Sequence, residues 1–362
     1  MSTSMKQLLD PRVMTSAYQQ APANVPTPLT DVFFTNPEPI DDEQFIGFYD
    51  PADRKPAPAN KVGAQARIIA VGKGKNRVFN MVYSFNQTTF EMDVYKALRN
   101  PDSEELQNRG RREIARVMAK FQNRQTLFKE VWLAKVLTQG VVYLNGAGEI
   151  LESSSGAVDT ADFEMPANNK GNLNGLIADL WSVAGADIPS QLENVVDVSA
   201  SAHVPKPTDI WLHRKNLKNL RNNNAFKFWA QFNQELSRDV ISGRVSEIAN
   251  LWGFTWHFID DYYEAQDGTS KPIIPLTGQG SVVITPPPAG NWRSAANGLT
   301  LVPRELNVKP DVEALIDSLE SVYGRFYYAS IQDNPVRIMA NIGDHFAFNF
   351  NEPASIYAGT AF

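Results

Sequence analysis

The chain has 362 residues, of which 43% are hydrophobic and 20% charged, a balance typical of a folding sequence and not of a disordered one. Its formal charge of −6 argues against a protein that grips nucleic acid through phosphates, because such a protein needs a net basic surface. The absence of cysteine excludes a disulfide framework, a cysteine zinc site and thiol catalysis.

The N-terminal segment predicts an arm. It lacks the apolar core of a signal peptide, and no apolar run in the chain is long enough to cross a bilayer, so we expect a soluble cytoplasmic protein. Residues 1–30 are polar and dotted with proline, which fixes φ and removes a backbone donor. We therefore expect an extended arm, or a flexible tail, without helix.

The next stretch predicts β-structure that needs support. Phe45–Tyr49 forms a short strand pattern, and the prolines after it hold the chain open. Residues 66–71 and 77–85 are β-rich and are joined by "GKGKN", which predicts a hairpin. An isolated hairpin is marginal in water, so we expect other structure to cover this one.

A long helix follows. Asp102 or Ser103 can cap a short first turn, and the helix proper is predicted from about Gly110 to Gly140, a length of about 45 Å. Apolar residues recur at roughly helical spacing, and they are Ile114, Val117, Met118, Phe121, Phe128, Val131 and Trp132.

The other positions of this helix predict a basic outer face inside an acidic protein. The basic residues are Arg109, Arg111, Arg112, Arg116, Lys120, Arg124, Lys129 and Lys135. Two interpretations stay open: the face is simply solvated, or it meets an acidic surface of a neighbouring subunit.

The middle of the chain alternates between helix and strand patterns. "VVYLNGAGEIL" predicts a hairpin with its turn at Asn145–Gly146, and 152–172 reads as loop. Helices are predicted at 173–185, 189–198, 214–236 and 246–253, and a buried strand at 208–213. The candidate core of the helix at 214–236 comprises Leu217, Leu220, Phe228, Trp229 and Phe232.

The C-terminal third is mainly β. Strands are predicted at 254–263 and 280–285, a helix at 310–324, and a long alternating strand from Val336 to Phe350. "NEP" predicts a turn, after which residues 355–360 return as a second strand.

Chemistry-bearing residues form no catalytic pattern. The four histidines are His203, His213, His257 and His345. His257 precedes Asp260 by three residues, so on a strand their side chains face opposite sides, which suits a single metal ion poorly. "VGKGKNR" lacks the spacing of a phosphate-binding loop. We expect no enzymatic activity and no cofactor.

The order of these elements resembles the major capsid proteins of tailed bacteriophages, and the lambda-type major head protein family in particular. Stretches that carry the resemblance are "DVFFTNPEPIDDEQFIGFYD", "GRREIARVMAKFQNRQTLFKEVWLAKVLTQGVVYLN", "PTDIWLHRKNLKNLRNN", "WHFIDDYYEAQDGTSKPIIPLTGQGSVVITP" and "DNPVRIMANIGDHFAFNFNEPASIYA". The likeness spans roughly residues 30–362 and lies in the ordered set, since no single motif is specific. Residues 152–200 and 310–324 match less well.

The resemblance implies an α+β Johnson fold, the Hong Kong 97-like phage capsid fold. Its segments would be an N-terminal arm at 1–44, an extended loop at 45–90, a peripheral domain at 91–204 with its spine helix at 103–140, an axial domain at 205–310, and a return to the peripheral domain at 311–362. The extended loop would reach over the adjacent subunit. The subunit contacts implied are Phe48, Tyr49, Arg54, Lys55, Lys73, Lys75, Arg77, Arg112, Arg116 and Arg124.

The function implied is that of a major capsid protein whose hexamers and pentamers form the icosahedral head around double-stranded DNA. Its partners would be a portal, in some phages a decoration protein, and a separate scaffolding protein, because only some 45 residues precede the extended loop. We expect assembly in the host cytoplasm, a place in the virion, and no membrane contact. Covalent crosslinking through the loop lysines stays open.

Two other functions remain as alternatives. An encapsulin-type compartment shell shares the fold and would enclose enzymes instead of DNA. A metal-dependent hydrolase would use His203, His213 or His257 together with aspartates, and a tight stoichiometric metal would favour it.

Overall fold

In a computed structural model the chain is described at residue 15 and at residues 24–41, 44–49, 75–90, 93–94, 96, 104–242, 246–265, 267–299, 323–333 and 336–362. In chain order, the helices of these parts are α1 (Pro28–Phe33), α2 (Glu104–Gln139), α3 (Ile188–Ser201), α4 (Asn216–Leu220), α5 (Asn224–Phe232) and α6 (Gln234–Ile241). The first nine strands are β1 (Glu38–Ile40), β2 (Gln44–Tyr49), β3 (Lys75–Asn80), β4 (Val82–Phe90), β5 (Val141–Leu144), β6 (Ile150–Leu151), β7 (Asp159–Asp162), β8 (Lys170–Gly171) and β9 (Asp209–His213). The remaining strands are β10 (Glu247–Leu251), β11 (Phe254–Ile259), β12 (Tyr262–Glu264), β13 (Ser270–Pro272), β14 (Val282–Thr285), β15 (Arg293–Gly298), β16 (Arg325–Asp333), β17 (Val336–Phe350) and β18 (Tyr357–Gly359).

The long helix is confirmed and is longer than predicted. α2 runs without a break for 36 residues, about 54 Å, and Gly110 lies inside it, so the predicted separate first turn is wrong. Its N-terminal half is amphipathic, whereas every residue from Lys129 to Thr138 is buried. The helix therefore begins as a surface helix and ends inside the core.

One sheet is organised around the long C-terminal strand. β17 pairs antiparallel with β16, and on its other side residues 338–346 pair with β4 and 346–350 with β15. β1 adds to β15 in parallel. The alternating sequence pattern predicted β17 correctly.

The second sheet has the strand order β10-β11-β9-β14-β18-β8. Every residue of β9 and β14 is buried. Trp211 and Val283 face a core shared with α1, the C-terminal half of α2 and β17, whereas Ile210, Leu212 and Ile284 face a second core beneath α3 and α4. Both faces of this sheet are covered, which explains why its central strands are apolar without alternation.

The hairpin prediction around residue 77 holds in part. The predicted strand at 77–85 is divided between β3 and β4, and β3 pairs antiparallel with β2 from Gln44↔Asn80 to Tyr49↔Lys75. The other predicted strand of that hairpin, 66–71, lies outside the described residues. The β5–β6 hairpin is confirmed, and the Asn145 side chain accepts bonds from the backbone N–H of Ala147 and Glu149 at 2.9 Å.

The arm contains a helix where the sequence predicted none. Proline is tolerated at the first position of a helix, where its missing N–H has no intrahelical partner, and Pro28 stands there in α1. Farther toward the N-terminus, the Thr15 hydroxyl donates to the carbonyl of Tyr327 at 2.9 Å and accepts from its N–H at 3.0 Å. The arm is thus attached to the body of the subunit at Thr15 as well as through α1.

Two predicted helices are wrong. Residues 246–253 form β10 and its turn, and a bulge between Ile248 and Leu251 turns both buried side chains to one face, which mimics helical spacing. Residues 173–185 contain only a short 3-10 turn, Leu173–Gly175, because three successive positive φ values there are incompatible with an α-helix.

Two further predictions need correction. Residues 214–236 form three helices, α4, α5 and the start of α6, and α5 is capped by the Asn223 side chain. The returning C-terminal strand, β18, pairs with β14 and β8 in the second sheet and not with β17. Residues 310–322 of the predicted helix at 310–324 lie outside the described residues. Within the described parts, no helix combines the length and apolar character of a membrane span.

Candidate subunit-contact surfaces

The N-terminal half of α2 carries a row of exposed cations, here called the basic stripe. Successive spacings of three or four residues place its members within about a third of the helix circumference. The stripe consists of Arg109, Arg112, Arg116, Lys120 and Arg124. Arg116 contacts Glu113 at 2.6 Å, and the Arg112 Nε donates to the carbonyl of Asn108 at 3.3 Å. The predicted basic face is therefore real over this half of the helix.

Lys129 was predicted to lie on the basic outer face, but this side chain is buried. Its Nζ lies 3.0 Å from the Asp344 carboxylate. The ring centres of Phe34 and Phe346 lie 4.7 Å and 4.6 Å from the same Nζ. Burial lowers the pKa of Lys129, and the Asp344 charge opposes that change. Arg325 also contacts Asp344, at 3.2 Å. These contacts tie α2 to β16 and β17.

Lys135 is the second buried cation of α2. Its Nζ lies 2.6 Å from Glu152, which also accepts a hydrogen bond from the Tyr263 hydroxyl. Burial opposes the charge on Glu152, but these two donors keep the pKa of Glu152 below its usual value. Lys129 and Lys135 thus hold the subunit together internally and are removed from the candidate contact surface.

The extended-loop candidates are only partly described. Phe48 and Tyr49 lie on β2, and Lys75 and Arg77 on β3, where Tyr49 pairs with Lys75 and Gly47 with Arg77. Arg54, Lys55 and Lys73 lie outside the described residues. The ladder brings together residues 49 and 75, which flank the segment outside the described residues.

Two apolar pairs are exposed at the surface of the described part of the subunit. Ile46 and Val78 are partners across the β2–β3 ladder and are 61% and 57% exposed. Phe228 and Phe232 lie one turn apart on α5, with ring centres 5.0 Å apart, and are 65% and 74% exposed. Burying such side chains stabilises an association, so each pair is a candidate contact.

The structure reverses the prediction that Phe228 and Phe232 belong to the core. Aromatic residues occur on both sides of α5, and the buried side is occupied by Phe226, with Trp229 packed against the second core. A nine-residue helix on the surface of one subunit can bury only one side. The sequence could have indicated this exposure, because aromatic residues occur on both sides of the helix.

A wide groove of about 1320 Å³ lies between β4, the middle of α2, and the β5–β7 sheet. Phe121, Phe128 and Trp132 supply apolar surface to it. Its rim carries five exposed acidic side chains, which are Glu149, Asp159, Asp162, Glu164 and Glu264. Arg124, the last member of the basic stripe, also borders the groove. The groove therefore suits a partner segment that combines apolar and basic residues.

The histidines do not assemble around a common centre in the described parts of the chain, where no group of three or more metal-ligating side chains occurs. His257 stacks on Trp211 at 3.9 Å, and its Nε2 lies 2.8 Å from Asp209. Asp260 instead contacts Arg214. His213 is buried, which lowers its pKa, and its Nδ1 accepts from the N–H of Lys215.

Comparison with solved structures identifies the fold. A capsid protein assigned to a prophage of Escherichia coli CFT073 is 15% identical, covers 80% of each chain and has a TM-score of 0.50. The mature capsid of bacteriophage PhiM1 is 9% identical over 91% of this chain and 86% of that chain, with a TM-score of 0.46. The SrpI encapsulin of Synechococcus elongatus PCC 7942 is 8% identical over 96% and 94%, with a TM-score of 0.41. The similarity to the prophage capsid protein, at a TM-score of 0.50, confirms the predicted α+β Johnson fold.

Comparison of the sequence identifies the family. No curated protein matches the chain. The family model described as "Phage major capsid protein E" matches residues 10–296, which is most of the 362 residues. This match confirms the resemblance to phage major capsid proteins, whose role is structural. The chain belongs to the family of phage major capsid proteins.

Proposed function

We propose that the chain forms the head of a tailed phage by assembling into hexamers and pentamers, which close into an icosahedral shell around double-stranded DNA. The family match carries this proposal. The exposed apolar pairs and the basic stripe support it, because these surfaces gain stability when neighbouring subunits cover them. Assembly in the host cytoplasm and a final place in the virion follow from the same proposal.

We assign the segments of the subunit as the resemblance implies. The proposed parts are the arm (1–44), the extended loop (45–90), the peripheral domain (91–204), the axial domain (205–310) and the return to the peripheral domain (311–362). The β2–β3 ladder supports the extended loop, since it joins the two ends of residues 50–74. The length of α2 supports its role as a strut along the subunit.

The groove offers a place for the extended loop of a neighbouring subunit. Residues 50–74 contain five basic residues and two acidic ones, together with the apolar run "IIAV". The groove presents the complementary combination of acidic rim and aromatic surface. Opposite charges across an interface guide its register and speed its formation.

Charge reversal on the basic stripe tests the contact. We expect Arg112→Glu together with Arg116→Glu to abolish shell formation in an assembly assay monitored by light scattering and electron microscopy, because both side chains are exposed and would repel an acidic neighbour. The free energy of unfolding of the isolated subunit should change by no more than about 0.5 kcal/mol. Lys218→Glu, at an exposed position on α4, is the matched control and should assemble normally. Normal assembly of the double variant would remove the stripe from the contact surface.

Replacement of the exposed aromatic pair is expected to weaken assembly and to leave the stability of the subunit nearly unchanged. Phe228→Ser with Phe232→Ser removes two side chains that are mostly in water in the subunit, so its unfolding free energy should shift by less than about 1 kcal/mol. The threshold concentration for assembly should rise at least tenfold, because the contact loses apolar area. Sedimentation velocity over a concentration series measures this threshold. A large loss of subunit stability would place both rings in the core after all.

We further propose a separate scaffolding protein, a portal and, in some assemblies, a decoration protein as partners. Support comes from membership of the family of phage major capsid proteins. The purified chain alone is expected to give shells of irregular size, and addition of the scaffolding protein to give uniform ones. Uniform closed shells from the chain alone would contradict the need for a scaffold.

A further inference from the structure

The helices that cover the second core carry two exposed patches of opposite charge. Residues 171–205 contain four acidic residues and no lysine or arginine, whereas residues 219–234 contain two basic residues and no acidic one. Both stretches also expose large apolar side chains. The acidic patch is defined as Asp179, Leu180, Asp197 and Val198, and the aromatic patch as Arg221, Lys227, Phe228 and Phe232.

The acidic patch is built from α3 and the chain that precedes it. The Gln191 side chain of α3 donates to the carbonyl of Asp179 at 3.4 Å, which places Leu180 beside the first turns of the helix. Val198 lies seven residues after Gln191 and therefore on the same side of α3, two turns farther along. Leu180 and Val198 are 43% and 39% exposed, and the carboxylates of Asp179 and Asp197 are exposed next to them. The patch is thus an aliphatic surface bordered by negative charge.

The aromatic patch occupies the outer side of α5. The rings of Phe228 and Phe232 contact each other there, and both are mostly exposed. Lys227 lies on the same exposed side of the helix, and Arg221 is the exposed residue that ends α4 just before it. The patch is thus an aromatic surface bordered by positive charge, which complements the acidic patch in both apolar character and charge.

The two patches lie toward different edges of the second sheet. The start of α5 meets the chain before α3, because the Asn223 side chain donates to the carbonyls of Val183 and Ala186. From this point α3 runs toward β18, where the Ser199 hydroxyl lies 2.8 Å from the Tyr357 hydroxyl. The helix after α5, α6, instead packs against β10 at the other end of the strand order. Complementary patches at different edges suit a head-to-tail contact between copies.

We propose that the aromatic patch of one subunit docks on the acidic patch of the next copy of this chain. The inference rests on the proposed function and names the two surfaces through which copies meet in a hexamer or pentamer. In this contact the phenylalanine rings cover Leu180 and Val198, while Arg221 and Lys227 meet the carboxylates of the acidic patch. Each copy carries both patches, so the same contact repeats from subunit to subunit until the ring closes.

An exchange of charges between the two patches tests the pairing. Arg221→Glu with Lys227→Glu, and separately Asp179→Lys with Asp197→Lys, should each raise the threshold concentration for assembly of the full chain about tenfold or more, because like charges then face each other. All four substitutions in one chain restore opposite charges, so the threshold should return to within about threefold of the unaltered chain. Sedimentation velocity over a concentration series measures the threshold.

A control of equal net charge separates pairing from a general charge effect. Arg221→Glu and Lys227→Glu are combined with Glu38→Lys and Asp93→Lys, at exposed positions outside both patches. This chain should assemble as poorly as the first double variant. Rescue by the control substitutions, or no rescue by the exchange between patches, would overturn the pairing.

Crosslinking provides a second test that does not depend on the charge exchange, because the chain has no cysteine of its own. Chains with Lys227→Cys and chains with Asp197→Cys are assembled together and treated with a short bismaleimide. Electrophoresis in detergent should show covalent dimers from the mixture and none from either variant assembled alone. Particles without dimers, or equal dimers from a single variant, would overturn the pairing and leave the proposed function standing. Failure of the unaltered chain to form particles would overturn the proposed function and the pairing with it.

Discussion

Substitution of Asp344 by asparagine is expected to lower the free energy of unfolding of the subunit by about 3–5 kcal/mol at pH 7. Asp344 is 1% exposed and contacts both Lys129 and Arg325. Asparagine preserves the shape but removes the negative charge, so a fully buried ammonium group is left without its counter-charge. Urea unfolding of the unassembled subunit, with the slope m compared between variants, measures the loss.

The pH dependence of this loss provides a second check. Lys129 already has a lowered pKa because it is buried, and the Asp344 charge is what raises it. Without that charge the Lys129 pKa falls further, so the folded variant regains stability as pH rises and the ammonium group loses its proton. The deficit of Asp344→Asn should therefore shrink between pH 7 and pH 10.

Two control variants test whether the loss of stability in Asp344→Asn comes from the unpaired buried charge. Asp197→Asn, at an exposed position on α3, should change the unfolding free energy by less than about 0.5 kcal/mol. Replacement of both Lys129 by methionine and Asp344 by leucine should recover much of the lost stability, since paired removal leaves no buried charge alone. A loss below about 1 kcal/mol in Asp344→Asn would show that the ion pair is solvated.

Phe33→Ala is expected to destabilise the subunit by about 3–5 kcal/mol, because it opens a cavity in the main core and weakens the docking of α1. The Phe33 ring is fully buried, with ring centres 5.1 Å from Trp211, 6.1 Å from Trp292 and 6.4 Å from Phe348. The same urea titration measures the effect, and tryptophan fluorescence should change because two indoles line the cavity.

Phe232→Ala is the matched control for Phe33→Ala. It makes the same chemical change at a side chain that is 74% exposed, so the subunit should keep its stability within about 0.5 kcal/mol. Equal losses in the two variants would contradict the assignment of one ring to the core and the other to the surface.

The elements that could be predicted from sequence are those with a long, regular pattern. α2 and β17 were found because their apolar periodicities persist over many residues. The failures have local physical causes. A bulge made β10 look helical, and the buried Trp181 and Ile177 suggested a helix that backbone conformations with positive φ forbid. Neither feature is visible in hydrophobic spacing.

Contacts between residues that are far apart in the sequence were the second feature that could not be predicted. Nothing in the local sequence of α2 separates Lys129, which meets Asp344, from Lys120, which remains exposed. The partners lie more than 200 residues apart and come together only through the sheet around β17. The arm helix α1 was not predicted for a similar reason, because the group that caps it, Glu130, belongs to another helix. The extended loop at 45–90 and the contact residues proposed on it remain predictions.

Sedimentation velocity of the purified 40.3 kDa chain, with electron microscopy of any fast fraction, tests the central claim most directly. The experiment is run on the chain alone and after co-expression with the scaffolding protein of the same phage. We predict fast-sedimenting particles that are rings or closed shells of hexamers and pentamers in at least one of the two conditions. A chain that sediments as a monomer in both conditions, with no particles in the micrographs, would contradict assembly into a phage head.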